Sequence, residues 1–194
     1  MRNKIIVLAS ASPRRKEIFE KTGLKFKIDG SGCEEEMVPG LKPRELTRFL
    51  SRKKARDVAR RYSNALIIAA DTIVVSGGRF FGKPRSREEA GKMLKALSGK
   101  AHSVITGFTI IDTENKKELS RTIETKVFFK ALGADEIEAY VRSGEPMDKA
   151  GAYGIQGLGG VIIKKIEGDF FNVMGLPLSA LAESLKKFGV NVLS

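Results

Sequence analysis

A single aspartate interrupts an otherwise apolar run, ALIIAADTIVVS, from Ala65 to Ser76. Burying a carboxylate costs free energy unless the group is paired, hydrogen-bonded or bound to a metal ion. Asp71, with the hydroxyl of Thr72 beside it, is therefore the first candidate for a catalytic or metal-binding group. The alternative is that the strand ends here and that Asp71 meets solvent.

Two arginines stand in the first turn of a predicted helix, in the sequence SASPRR from Ser10 to Arg15. Ser12 is a favourable N-cap and Pro13 suits the first helical position. The free N–H groups of a helix start attract anions, and an arginine fork matches phosphate oxygens. Because cations are otherwise unfavourable at this end of a helix, Arg14 and Arg15 indicate phosphate binding. The alternative is two solvated arginines, tolerated at a small cost.

Two lysines occupy positions that suit contact with an anionic ligand. Lys54 falls on the apolar stripe of a basic helix predicted from Arg44 to Tyr62. It therefore either points into a cleft or snorkels out of one, or it indicates that the helix is rotated or shorter than predicted. Lys83 lies in the sequence FGKP, a short loop after the strand of Asp71. A lysine held in this loop is in reach of a phosphate near Asp71.

A glycine-rich segment, DKAGAYGIQGLGG, runs from Asp148 to Gly160. It lacks the G-x-G-x-x-G spacing, which argues against a Rossmann dinucleotide site. Glycine lets the backbone approach a ligand closely, and the amide of Gln156 offers the donor and acceptor that a base edge requires. A flexible loop is the alternative. The acidic run from Glu34 to Glu36 offers oxygen ligands for Mg²⁺ or Mn²⁺, although a run of three acids is more often just a solvated loop.

The elements that position these residues mix strands and helices without strict alternation. We therefore expect a mixed α/β protein of α+β character around one extended sheet. The last two predicted strands form a hairpin. The predicted strands are Lys4–Ala9, Leu24–Asp29, Ala65–Ser76, Arg79–Gly82, His102–Thr113, Glu118–Ala131, Val161–Ile166 and Phe170–Met174. The predicted helices begin at Ser12, Arg44, Ser86, Ala134 and Pro177.

The composition limits the class of protein. The 194 residues, 42% hydrophobic and 30% charged, suit a single domain over residues 1–194 with room for two lobes. One cysteine, Cys33, and one histidine, His102, are too few for a Cys/His zinc site and leave a weak case for a cysteine nucleophile. No apolar stretch is long enough to span a bilayer or to form a signal-peptide core, so we expect a soluble cytoplasmic protein.

These motifs together resemble the Maf family of nucleotide pyrophosphatases. The resemblance implies an elongated twisted mixed sheet flanked by helices, a cleft between two lobes as in inosine triphosphatase-like proteins, and often a homodimer. The matching stretches keep the family's order: LASASPRR, the EEE loop, RKKAR, AADTIV, GKPRS, LSGKAHSVITG, DKAGAYGIQGLGG and NVMGLPL.

The resemblance also implies an activity, namely cleavage of nucleoside triphosphates between the α and β phosphates. In this reading Asp71 activates water with the help of a divalent cation, Mg²⁺ or Mn²⁺, which Glu35 also helps to bind. The family branch that acts on dTTP and UTP is similar to this chain at Arg14, Thr72 and Gln156, which implies that they select the base. The residues implied to hold phosphates are Ser10, Arg14, Arg15, Lys54 and Lys83.

The net charge of +12 keeps a second class of function open. A basic surface attracts nucleic acid as well as nucleotides, so one alternative is a nucleic-acid-binding protein without turnover. The family resemblance adds the alternative of a cell-division regulatory protein without turnover. Aromatic residues make up only 7% of the chain, and no known nucleic-acid-binding motif occurs in it. The sequence therefore favours a nucleotide substrate.

Overall fold

The computed structural model describes residues 4–33 and 38–193. In these residues seven strands form one sheet in the order β2-β1-β3-β5-β6-β7, with β4 paired to β3. The β1–β2 and β1–β3 pairs are parallel, whereas β3–β4 and β6–β7 are antiparallel, so the sheet is mixed. The strands are β1 Ile5–Leu8, β2 Lys27–Ile28, β3 Ala65–Ser76, β4 Arg79–Phe81, β5 Ala101–Asp112, β6 Lys117–Phe129 and β7 Ile163–Glu167.

Six α-helices accompany these strands in the described part of the chain. Three short 3-10 segments, Glu145–Asp148, Ala150–Ala152 and Gly157–Ile162, replace regular structure in the glycine-rich region. Within residues 4–33 and 38–193, no helix has both the length and the apolar character needed to cross a bilayer. The helices are α1 Pro13–Glu20, α2 Pro43–Ala59, α3 Arg87–Leu97, α4 Ala134–Arg142, α5 Phe170–Met174 and α6 Leu178–Lys186.

The chain divides into two compact units. The first takes its described residues from Met1–Asp71, Thr106–Ile123 and Gly175–Ser194. Its core includes Ala55 and Val58 of α2, which pack with Ile67 and Ala69 of β3. Alternate residues of a strand point to the same side of the sheet. Asp71 therefore follows Ile67 and Ala69 on the side of β3 that α2 covers.

The second unit consists of Thr72–Ile105 and Glu124–Met174. Its core joins α3 and α4 to β5 and β6 and includes two residues of the glycine-rich region, Ala152 and Tyr153. The serine that begins α3 is an N-cap, as predicted, because the Ser86 hydroxyl accepts a hydrogen bond from the N–H of Glu89 at 3.1 Å. The Glu89 carboxylate accepts a hydrogen bond from the N–H of Arg85, the residue before the cap, at 2.7 Å.

The predicted hairpin of Val161–Ile166 with Phe170–Met174 is wrong. β7 pairs with β6 instead, and Phe170–Met174 is the short helix α5. The Asp169 carboxylate accepts from the N–H of Asn172 at 3.1 Å, which fixes the first turn of that helix. The buried Asn172 amide donates to the Val104 carbonyl and to the Thr125 hydroxyl, both at 3.0 Å. These partners are distant in sequence, so the apolar run alone did not reveal the helix.

Candidate active site

A buried ion pair joins α2 to β3 in the first unit. The Lys54 ammonium donates to Oδ1 of Asp71 at 2.5 Å, and the two residues are only 7% and 4% exposed. β3 continues to Ser76, so Asp71 is not a solvent-exposed strand end. Lys54 lies on the buried stripe that carries Ala55 and Val58, so it faces inward, although α2 ends at Ala59, three residues before the predicted end at Tyr62. A buried carboxylate with a cationic partner marks Asp71 as a candidate for a reactive group.

The start of α1 belongs to the same unit as this pair. β1 ends at Leu8 opposite Ile68 of β3, and the two strands are parallel. Ser10 therefore follows the end of β1, while Asp71 lies three residues beyond Ile68 in the same chain direction. Ser10 is buried, and its hydroxyl accepts from the N–H of Ser12 at 3.2 Å. The carboxyl ends of adjacent parallel strands are a usual place for a binding site.

The capping of α1 agrees with the prediction from Ser12 and Pro13. The Ser12 hydroxyl accepts from the N–H of Arg15 at 3.5 Å, and α1 has no acidic residue in its first turn. Arg14 and Arg15 are half-buried, and Nε of Arg15 donates to the carbonyl of Gly175 at 2.9 Å. Packing and this hydrogen bond orient Arg15, so this arginine is not fully solvated, while phosphate binding by Arg14 and Arg15 stays a prediction.

The remaining predicted substrate contacts belong to the second unit. Thr72 is half-buried in β3, where strand alternation turns it to the opposite face from Asp71. Lys83 is exposed in the loop after β4. The Gly82 carbonyl in that loop accepts from the N–H of Gly151 at 3.0 Å, which ties the Lys83 loop to the glycine-rich region. Gln156 is half-buried within that region.

Three further sequence hypotheses have different outcomes. Glu35 lies outside the described residues, so its metal-binding role stays a prediction. Cys33 and His102 belong to different units, and the Cys33 thiol is 3.9 Å from the Lys53 carbonyl. His102 is buried, and its Nε2 lies 2.8 Å from the Tyr153 hydroxyl. A core histidine of this kind is structural, so nothing in the geometry favours a cysteine–histidine nucleophile.

Sequence reasoning missed a polar network beside Gln156. Glu145 contacts Tyr140 and the backbone of the glycine-rich region through three hydrogen bonds. The only local signal was an acidic residue between Gly144 and Pro146, directly before the glycine-rich segment. Its partners are up to 14 residues away, so the sequence alone gave no reason to single it out.

Comparison with known proteins shows the family of the chain. A family model described as Maf-like protein matches residues 5–188, nearly the whole chain. This chain belongs to the Maf family. The predicted resemblance is therefore confirmed, and the Asp71 strand, the α1 start and the glycine-rich region all lie inside the matched range.

Curated members of the Maf family that resemble this chain carry the name dTTP/UTP pyrophosphatase. The protein of Methanosarcina barkeri is 50% identical over 96% of this chain and 95% of its own length. That of Pelotomaculum thermopropionicum is 50% identical over 98% of this chain and 100% of its own length. That of Acetivibrio thermocellus is 48% identical over 97% of each chain.

A solved structure supports the fold. The Staphylococcus aureus Ham1 protein has a TM-score of 0.51 to this chain, covering 96% of this chain and 100% of its own. Its sequence identity is 16%, so the likeness concerns the fold alone. The expected α/β class, with a mixed sheet flanked by helices, is confirmed. The expectation of one domain stays a prediction.

Proposed function

We propose that this chain hydrolyses dTTP and UTP to the nucleoside monophosphate and pyrophosphate. The observation that carries the proposal is the buried Lys54–Asp71 pair, which lies in the same unit as the α1 start. The names of the Maf relatives that are about half identical to this chain support the choice of substrate. The chain is accordingly a hydrolase that acts on a phosphoric anhydride.

Asp71 is the group that activates the attacking water. Its carboxylate accepts the proton of that water as the water oxygen bonds to phosphorus and pyrophosphate leaves. Lys54, bonded to Oδ1, fixes the orientation of the carboxylate, and its predicted contact with a substrate phosphate remains part of the proposal. The helix start with Ser10, Arg14 and Arg15 offers donors for phosphate oxygens. Lys83 adds a further cation that stabilises the negative charge of the transition state.

A divalent cation, Mg²⁺ or Mn²⁺, fits the chemistry of Asp71. Residues 4–33 and 38–193 contain no group of three acidic, His or Cys side chains that together suit a metal ion. Mg²⁺ does not require such a cage, because one or two carboxylates with substrate phosphates and water complete its coordination. Asp71 would hold the cation, with Glu35 as the second carboxylate. When bound, the cation supplies positive charge to the phosphate oxygens.

The family resemblance supports Arg14, Thr72 and Gln156 as the residues that select the base. The amide of Gln156 donates to O4 of uracil or thymine while its carbonyl accepts from N3–H. Gln156 is half-buried, so such a contact takes place partly away from water and gains strength.

Product analysis tests the proposal. The protein is incubated with Mg²⁺ or Mn²⁺ and with dTTP, UTP, CTP, GTP or 7-methyl-GTP, and the phosphate products are separated. Pyrophosphate with monophosphate, formed fastest from dTTP and UTP, is the expected result. Orthophosphate as the first product would instead indicate a terminal phosphatase. No turnover of any triphosphate, together with a salt-sensitive gel shift, would favour nucleic-acid binding.

Two further expectations belong to the proposal. The homodimer implied by the family resemblance is tested by sedimentation of the purified protein, with a monomer at all concentrations as the contrary result. A cytoplasmic location stays a prediction, tested by fractionating cells that express the protein.

A further inference from the structure

Glu145 accepts hydrogen bonds from both α4 and the glycine-rich region of the second unit. Its Oε1 accepts from the Tyr140 hydroxyl at 2.8 Å and from the N–H of Gly159 at 3.0 Å. Its Oε2 accepts from the N–H of Leu158 at 3.0 Å. Hydrogen bonds to an ionised acceptor are stronger than those between neutral groups. One side chain thus binds two successive backbone N–H groups that follow Gln156.

Tyr140 extends this contact to the other side of Gln156. Its hydroxyl oxygen accepts from the N–H of Gly154 at 3.1 Å while the hydroxyl hydrogen is donated to Glu145. Burial raises the pKa of the Tyr140 phenol well above its ordinary value, so the phenol keeps the proton that it donates. Backbone groups on both sides of Gln156 along the chain are therefore held by hydrogen bonds. We call this set the Glu145 network: Tyr140, Glu145 and the N–H groups of Gly154, Leu158 and Gly159.

Close packing restricts the same backbone. Gly157 has a φ of +72°, and a Cβ there would lie 2.7 Å from Oε2 of Glu145. A Cβ on Gly159 would overlap the Gly154 carbonyl and lie 2.6 Å from the Tyr140 hydroxyl oxygen. The glycines thus let the loop fold onto these two side chains. The loop is held in one conformation by hydrogen bonds and by the lack of space.

We propose that Glu145, together with Tyr140, is a positioning residue for pyrimidine selection, because it fixes the backbone that carries Gln156. This inference rests on the proposed function, in which Gln156 reads the base. Glu145 touches neither substrate nor reacting atoms in this role. It acts through the loop.

The chemistry of a glutamine amide explains why such a residue is needed. A primary amide presents a donor and an acceptor side by side, and rotation by a half-turn exchanges them. One orientation matches O4 and N3–H of thymine, and the other matches the amino group and N3 of cytosine. The amide turns about its own Cγ–Cδ bond, so discrimination between dTTP and dCTP requires that the loop hold Gln156 at a position where only one of the two orientations finds its partners. A loosened loop permits both orientations.

Glu145→Gln is the first test. The variant keeps the shape of the side chain, but its amide nitrogen cannot accept the hydrogen bonds that one carboxylate oxygen now accepts. We expect the ratio of kcat/KM for dTTP over dCTP to fall about tenfold, equivalent to ~1.4 kcal/mol and typical of one hydrogen bond. The kcat for dTTP should change less than its KM, because Asp71 and Lys54 are untouched.

Glu138→Gln is the matched control. Glu138 lies on the same helix, α4, and undergoes the same acid-to-amide change, but its partner is Arg142 in an exposed i,i+4 pair. We expect wild-type selectivity from this variant. Tyr140→Phe is a second test that leaves the Glu145 carboxylate in place and removes the acceptor for the N–H of Gly154. It should lower the same ratio, and it replaces Glu145→Gln if that variant does not fold.

A double-mutant cycle with Gln156→Ala separates positioning from general weakening. If Glu145 acts through Gln156, Glu145→Gln should have almost no further effect on selectivity in the Gln156→Ala background. The inference would be overturned if Glu145→Gln lowered selectivity by its full amount in the Gln156→Ala background. It would also be overturned if both Glu145→Gln and Tyr140→Phe left the dTTP/dCTP ratio of kcat/KM unchanged. In either case, turnover of dTTP by the wild type would still uphold the proposed function. Absence of wild-type turnover would overturn both.

Discussion

His102 should make the protein less stable in mild acid. The side chain lies in β5, is 4% exposed, and places Nε2 2.8 Å from the Tyr153 hydroxyl. Its ring packs edge-on against Phe129 with the ring centroids 4.8 Å apart. Burial lowers the pKa of His102 from 6.5 to about 4, because the charged imidazolium would lose its hydration. The experiment therefore lowers the pH and compares the resulting loss of stability in the wild type and in His102→Gln.

The sign follows from the two protonation states. The unfolded chain binds a proton near pH 6.5, whereas the folded chain does not until the pH approaches 4. Acid therefore favours the unfolded state. The contribution of neutral His102 to the free energy of unfolding is fully present above the pKa of the unfolded state, and it is lost as the pH falls toward the pKa of the folded state. Between about pH 7.5 and about pH 5, this single group should remove about 2 kcal/mol from the free energy of unfolding.

Urea unfolding at a series of pH values measures the effect. His102→Gln retains a polar group for the Tyr153 hydroxyl and does not titrate, so it reports the pH dependence of all other groups. The variant should be less stable than the wild type at neutral pH, because the ring leaves an imperfectly filled site. At about pH 5, the difference in the free energy of unfolding between the two proteins should be smaller than at neutral pH by about 2 kcal/mol. Parallel pH profiles for the two proteins would refute the reasoning.

Three other predictions follow from the site and its support. Asp71→Asn should lower kcat for dTTP by about 10²–10⁴-fold, the usual contribution of a general base, and leave nucleotide affinity nearly intact; unchanged turnover in a kinetic assay would contradict the role of Asp71. A chelator should abolish hydrolysis and added Mg²⁺ or Mn²⁺ should restore it, whereas full activity in excess chelator would exclude the metal. Gly107→Ala should lower the free energy of unfolding by about 3 kcal/mol, because its Cβ would lie 2.5 Å from the Thr47 carbonyl oxygen. Gly91→Ala in α3 is the control and should raise stability by about 0.5–1 kcal/mol, so equal effects of the two changes in urea unfolding would count against the close contact.

Local features of the sequence set much of the secondary structure. The apolar run predicted β3 with the bounds that the structure has, Ala65–Ser76, and α4 begins at the predicted residue, Ala134. Ser12 and Ser86 marked the starts of α1 and α3, since an N-cap acts within three residues of itself. Strand β2 is Lys27–Ile28, shorter than the predicted Leu24–Asp29, because only Lys27 and Ile28 pair with β1.

Long-range contacts decided the rest of the site. The sequence presented Lys54 on an apolar stripe and Asp71 in an apolar strand as two separate anomalies, and each had an ordinary explanation. Only the packing of α2 on β3 makes them partners 17 residues apart. A buried charge costs free energy until its partner is in place, so neither anomaly could be interpreted without the other.

The sequence by itself determined the family, the strand that carries Asp71 and the helix start that carries Arg14 and Arg15, because each depends on residues close together in the chain. The tertiary structure decided the contact of Lys54 with Asp71, the helical form of Phe170–Met174 and the support of the Gln156 loop by Glu145. These features depend on hydrogen bonds between residues far apart in sequence. Propensity and periodicity describe only neighbours along the chain, so they carry no information about such partners.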